Sequence, residues 1–427
     1  MPPDGRAMTP GVPQSALVVG AGIIGLATAL HLQRRGVAVT VIDREGPAAG
    51  ASFGNGGILT SQGFTPVSGP GLMRAAPRMW LDRKGPLFIR KRDLPGMAGF
   101  FARYRHECNA EAAHRTSAAL ATLTAGTLAD HHALADGTEA AHHIHPTPYI
   151  FVWPKRADFE ADSFAWPLRR EMGFTWDELD GGALRELVPA LAPGMEFGIS
   201  TPGSGRIDDP GAYCEALARV MQARGGRLLK AEVTDFIRAP DGSVLGLRAG
   251  GEALHADATV IACGVWSRKL VAMLGLDVPI IAERGYHLEL LEPSHEFRAS
   301  LMVTSGKFVL TQMAGRIRLA GLVEIAAPDA PMRQAPLRLL EELARACFPG
   351  LSWKGTRGWV GPRPAPVDSV PLIGAVPGAA GAFCGFGHHH IGLTTGPRTG
   401  EILSGLICGD KANANLAPFD PARFARR

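Results

Sequence analysis

Residues 16–43, ALVVGAGIIGLATALHLQRRGVAVTVID, leave this chain few choices of fold. Leu17–Val19 is a short apolar run of the kind that forms a buried parallel strand. Gly20-x-Gly22-x-x-Gly25 follows at once; Leu26, Ala29, Leu30 and Leu32 then recur at helical spacing until Gly36 ends the helix. VAVTVID is a second strand, closing on Asp43. The order has a chemical reason. Gly20 makes a tight turn, Gly22 lets a pyrophosphate come against the backbone, and Gly25 lets the helix pack close to the strand. Ile23 and Ile24 open that helix, whose N–H donors and partial positive charge suit phosphates. Asp43, 23 residues after Gly20 and followed by Arg44, is placed to accept from ribose hydroxyls, and an acid there disfavours a 2′-phosphate. The arrangement predicts a dinucleotide site; the bland alternative is a coincidental glycine turn.

A simple NAD domain would continue with alternating strands and helices. Here GPAAGASFGNGGILTSQG (46–63) follows, a small-residue loop that suits backbone lying along an extended cofactor. HIHPTPYIFVWP (143–154) reads as a strand segment. His142, His143 and His145 are taken as polar strand or loop positions, with no nearby carboxylate to complete a metal set. Over 208–226 Asp209 is an N-cap and Pro210 the first helical residue. Residues 227–267 read as strand, hairpin through APDGSV, and a buried strand ATVIACG. The nucleotide domain is therefore discontinuous, at 15–62, 205–275 and 360–424. Segments 63–204 and 276–359 form a second domain, whose alternating strands near 279–325 suit a sheet roofing a substrate pocket.

The bulk numbers exclude several classes. A formal charge of +4 over 427 residues argues against a nucleic-acid protein. The six cysteines carry no CxxC spacing, so neither a disulfide frame nor a zinc knuckle is expected, and the reducing cytoplasm is the simplest location. Residues 1–15 read as a disordered lead-in without a signal-peptide core, and no stretch is long and pure enough to span a bilayer. Residues 72–94 carry seven basic residues against two acidic ones, interleaved with Trp80, Phe88 and Ile89. They read as a solvated face or, more sharply, as a peripheral contact with the inner face of a membrane or with an electron acceptor.

Several segments together resemble the FAD-dependent D-amino acid oxidase-like family, in particular its bacterial D-amino acid dehydrogenase branch. They are GAGIIG…VID, GASFGNGG (50–57), ATVIACGVWS (258–267) and RGYHLEL (284–290), then RIRLAGLVEI (316–325), GPRPAPVDSVPLIG (361–374) and GFGHHHIGLTTGP (385–397). The resemblance implies an α/β fold: a Rossmann-like FAD-binding domain plus an α+β substrate domain with a large antiparallel sheet. It implies non-covalent FAD and hydride transfer from a substrate α-carbon to flavin N5. The partners would be a small amino acid or cyclic imino acid, of the D-proline or 4-hydroxy-D-proline type, and a quinone or dioxygen as electron acceptor. One departure is visible. Related chains often carry a hydroxyl-bearing residue and glycine after the Arg-Pro pair, where this one reads PAPVDSVP (364–371).

Arg363, matching the family's Arg-Pro pair, is the expected carboxylate clamp, because a guanidinium forks two donors onto a carboxylate. Tyr286 is expected to reach the substrate carboxylate or amine. The resemblance puts Ser52, Asn55, Gly56 and Gly57 against the cofactor, with Val233 at its adenine end and Ala262, Gly264, Trp266 and Gly361 nearby. The run 388–390 puts three histidines in sequence, and neighbours cannot share one face of a strand or a helix. At most His388 and His390 would meet an ion, and no local acid joins them, so no metal is expected. The segment reads instead as a backbone device: Gly387, His388, His390, Ile391, Gly392, Leu393 and Thr394 lie along the flavin. A helix starting near Ile391–Thr395 would aim its N-terminus at the flavin, and His388 or His389 would face the ring or the substrate. The rival readings are a glycine or sarcosine oxidase-like enzyme using dioxygen and a flavin-binding accessory protein without turnover.

Overall fold

Ser15–Val19 lies inside a six-stranded sheet, and its last four residues are buried. The sheet runs Arg227–Lys230, Ala38–Asp43, Ser15–Val19, Ala258–Ile261, Ala382–Phe386, Leu372–Ala375. All neighbours are parallel except the last pair. The computed structural model describes residues 12–82, 85–411 and 415–425. The expected lead-in therefore falls mostly outside the described residues, as do Arg83 and Lys84 of the basic segment. Helices Ile23–Arg34, Pro210–Ala223 and Gly392–Ile407 share one apolar core over this sheet. The second of them starts as expected, with Asp209 accepting from the Ala212 N–H and Pro210 at its first turn. The expected hairpin forms a separate sheet of Val233–Arg238, Val244–Ala249 and Glu252–His255.

The second body is a nine-stranded, mostly antiparallel sheet. Ile280–Leu291 pairs on one side with Gly355–Pro366 and on the other with Arg316–Ile325. Ten of the twelve residues of Ile280–Leu291 are buried, on both faces. The fold class is thus α/β, a Rossmann-like parallel sheet beside a large antiparallel one. One domain boundary shifts: residues 360–366 belong to the large sheet, and the chain rejoins the parallel sheet only at Leu372. The register explains why, since Pro366 still pairs with Ile280.

A buried charge cluster braces the large sheet. Glu289 accepts from Arg316 and Arg318 at 2.8 Å, and from Arg357. Arg318, itself fully buried, also donates to the carbonyls of Phe53 and Asn55 and so ties the 50–57 loop to the sheet. Burial alone would raise the Glu289 carboxyl, but the arginine donors outweigh it and hold the group at about 2. Its folded value lies below the ordinary 4.5, so its contribution is present above pH 4.5 and lost as pH falls from there towards 2. Glu289→Ala leaves buried cations uncompensated and is expected to cost about 3–5 kcal/mol. Thermal unfolding at neutral pH reads this loss, and the deficit should shrink as the pH is taken below 4.5.

Among the described residues no helix is long and apolar enough to cross a membrane. Helix Leu72–Leu81 buries none of its residues and leaves Met73, Trp80 and Leu81 exposed beside Arg74 and Arg78.

Candidate active site

A single cavity of about 840 Å³ runs from Gly20, Gly22 and Asp43 at the edge of the parallel sheet to Glu283 and Arg363 on the large sheet. At the first end the chain leaves Val19 through Gly20 at φ +110°, and a side chain there would meet the Ala262 carbonyl oxygen at 2.5 Å. Gly22 and Ile23 line the cavity at the start of the first helix, with Ile24 beside them. Gly25 does not line it; its close approach is to the Gly20 carbonyl, the helix-to-strand packing expected of it. Asp43 also lines the cavity, and its carboxylate accepts from the N–H groups of Ala21, Glu45 and Gly46, which orders both flanking loops. Arg44 lies 4.1 Å over the ring of Trp266, beside Val233, Ala262 and Gly264 on the same wall.

The loop after Asp43 holds its own shape. The Ser52 hydroxyl accepts from the Ile23 N–H and so completes the first helix terminus. Asn55 accepts from Gly57 N–H and donates to the His390 carbonyl. Both side chains border the cavity but are engaged within the protein. Gly56 lines the cavity, whereas Gly57 does not: its φ of +75° turns it towards the Ile207 carbonyl, so its assignment as a cofactor contact is corrected. Gly361 does line it, packed so tightly under the Trp359 indole that a side chain would collide.

At the far end antiparallel register sets the chemistry. Glu283 stands directly opposite Arg363, and Gly285 opposite Gly361. Glu283, Gly285 and Arg363 share the cavity face, and the guanidinium folds across Gly285, where a side chain would meet it at 2.3 Å. Arg363 Nη1 is 3.4 Å from Glu283, its only hydrogen-bond partner among the described residues. That is long for a charge-assisted bond, so the fork retains donors for a ligand. The other Glu283 oxygen accepts from His389 Nε2 at 2.6 Å. Burial would raise the Glu283 carboxyl, but His389 and Arg363 outweigh it and hold it at about 2.

The histidine run separates into three roles. His388 borders the cavity, but it is buried and its ring is tied to Thr399 at 3.0 Å; burial pulls it down to about 3, so it is a neutral group engaged within the protein. His389 and His390 bring their Nδ1 atoms to 2.7 Å. Adjacent side chains meet here because the segment is a turn with His389 at φ +52°, neither strand nor helix. Helix Gly392–Ile407 then begins, its N-terminus bordering the cavity with no side-chain cap. Gly387, Ile391, Gly392, Leu393 and Thr394 all border the cavity.

Tyr286 is a second correction. Its neighbours Gly285 and Glu283 face the cavity, but strand alternation turns Tyr286 to the opposite face. There it is 1% exposed, donates to Glu324 and accepts from the Arg333 N–H. A third concerns the other histidines. A carboxylate does stand near them: Asp208, distant in sequence, bonds His143 at 2.7 Å and His145 at 2.9 Å. Among the described residues no group of three or more His, Cys, Asp or Glu could hold a metal ion. Sequence reasoning missed Glu283, Arg318 and Trp359. Only the register between 280–291 and 355–366 could have found the first.

The cradle fits a flavin dinucleotide. A Cβ-intolerant turn and a helix N-terminus suit the pyrophosphate, an acid ends the second strand, and an uncapped helix terminus borders the other end. Comparison with known proteins agrees. Residues 15–406 match the family described as FAD dependent oxidoreductase. The chain is 33% identical over 414 residues to a D-amino-acid oxidase of Bradyrhizobium diazoefficiens, covering 95% of this chain and 98% of that one. It is 30% identical over 421 residues to a D-amino acid dehydrogenase of Methylobacterium nodulans, covering 96% and 99%. Its fold is shared with a glycine oxidase from Geobacillus kaustophilus, with a TM-score of 0.75 at 21% identity over 96% of this chain and 98% of that one.

Proposed function

Because the chain belongs to the FAD-dependent oxidoreductase family, and FAD is therefore its cofactor, we propose that it oxidises the C–N bond of a D-amino acid or cyclic D-imino acid. The observation that carries this reading is the Arg363 guanidinium, with donors to spare, in the wall of the cavity that begins at the nucleotide turn. When bound, FAD supplies the two-electron acceptor for the α-C–H bond. The chain's residues do the rest. Arg363 grips the carboxylate and so fixes the α-carbon. Ile281, Val323 and Ile325 supply apolar walls for a side chain or ring and exclude water. The relatives' names, D-amino-acid oxidase and D-amino acid dehydrogenase, support the D configuration.

A panel of D- and L-amino acids with D-proline and 4-hydroxy-D-proline, followed by an artificial electron acceptor, tests the reading. We expect turnover of D isomers, giving a 2-oxo acid and ammonia from an open-chain substrate and a cyclic imine from a cyclic one. Turnover confined to L isomers or to 2-hydroxy acids would overturn it. Reoxidation by dioxygen against a quinone then separates oxidase from dehydrogenase.

A further inference from the structure

The site does not present a lone cation. Glu283 stands in cross-strand register with Arg363 and shares its face of the sheet. Its side chain is 11% exposed, and Oε1 is 3.4 Å from the guanidinium. Oε2 is fixed by His389, which is held at φ +52°, a left-handed conformation that a non-glycine residue adopts only at a cost. A turn that keeps a histidine in that conformation, with its ring on a cavity carboxylate, marks a position the fold holds in place. The other groups facing Glu283 are His390 and Tyr104, neither of which is a second fixed cation.

We propose that Glu283 is a specificity-determining residue that reads the substrate's amine. Together Arg363 and Glu283 form a fixed cation–anion pair, the electrostatic complement of an α-amino acid zwitterion. An amino acid carries its nitrogen one carbon from its carboxylate. A carboxylate gripped by Arg363 therefore brings the ammonium, or the secondary ammonium of a ring, beside Glu283, where opposite charges hold it. A ligand with a carboxylate and no amine meets the same Glu283 anion as a repulsion. The proposal rests on the amino acid reading above and deepens it, by making the amine as strictly required for binding as the carboxylate.

The test uses the FAD-loaded enzyme and reads binding as well as turnover. Perturbation of the flavin spectrum gives the Kd of a carboxylate without an amine, benzoate or a 2-hydroxy acid, and steady-state kinetics give KM for the amino acid. Glu283→Gln is expected to raise KM on the order of 30-fold and to tighten the amine-free carboxylate several-fold. A merely structural role would not produce opposite movements, since general damage weakens both ligands. Glu283→Asp, which keeps the charge, should recover part of the KM.

If Glu283→Gln does not retain FAD, the unaltered enzyme decides. It should bind an amino acid at least about tenfold more tightly than the 2-hydroxy acid of the same side chain. A ratio near one, or KM and carboxylate affinity unmoved in Glu283→Gln, overturns the proposal while amino acid turnover by the unaltered enzyme still stands. Absence of that turnover would instead remove the functional reading itself.

Discussion

Arg363→Ala is expected to raise KM for the amino acid by about two to three orders of magnitude and to leave the protein yellow. Truncating one partner of a desolvated, hydrogen-bonded charge pair costs about 2–5 kcal/mol, and each tenfold change in affinity is about 1.4 kcal/mol. Two things are lost at once: the fork proposed to hold the substrate carboxylate and the cation that compensates Glu283. The flavin stays because the nucleotide turn at Gly20–Gly25 is at the other end of the cavity. Arg363→Lys should recover only part of the loss, since an ammonium supplies charge without the planar two-donor geometry. Kinetics of the three proteins, with flavin content measured on the same samples, check this. An unchanged KM in Arg363→Ala would mean that the carboxylate is held elsewhere.

Gly20→Val is expected to give folded protein without flavin. The backbone at φ +110° is strained for any side chain, and a Cβ would lie 2.5 Å from the Ala262 carbonyl. Relief requires the turn to move away from Ala262, and that turn is the floor of the nucleotide end. The apolar core shared by helices Ile23–Arg34, Pro210–Ala223 and Gly392–Ile407 extends well beyond this turn. The ratio of flavin to protein should fall from about one to near zero, with circular dichroism little changed. Full flavin retention would move the pyrophosphate away from Gly20.

Gly20 and Glu283 mark what a sequence can and cannot reveal. The turn from Gly20 to Gly25 is local: strand, glycine spacing and helix lie within one short window, so chemistry and position are read together. Glu283 is the opposite case. Its strand is buried on both faces, so no polar–apolar alternation marks which side chains face the cavity. Tyr286 and Glu283 look equally eligible until the strand is seen to turn Tyr286 towards Glu324. The pairing of Glu283 with Arg363 depends on a register between segments far apart in the chain. His389 and His390 show a related gap. Facing rules for helix and strand do not apply to a turn, and only the φ of His389 lets neighbouring rings meet. Asp208 reached His143 and His145 in the same way, by folding rather than by nearness in sequence.

The most direct test of the whole account is to mix the purified yellow protein with a D-amino acid in the absence of oxygen and follow the visible flavin absorbance. The account predicts that the band fades, one flavin reduced for each imine or 2-oxo acid formed, and that the L isomer leaves it unchanged over the same time. A band that persists against every amino acid and imino acid offered, of either hand, would contradict it.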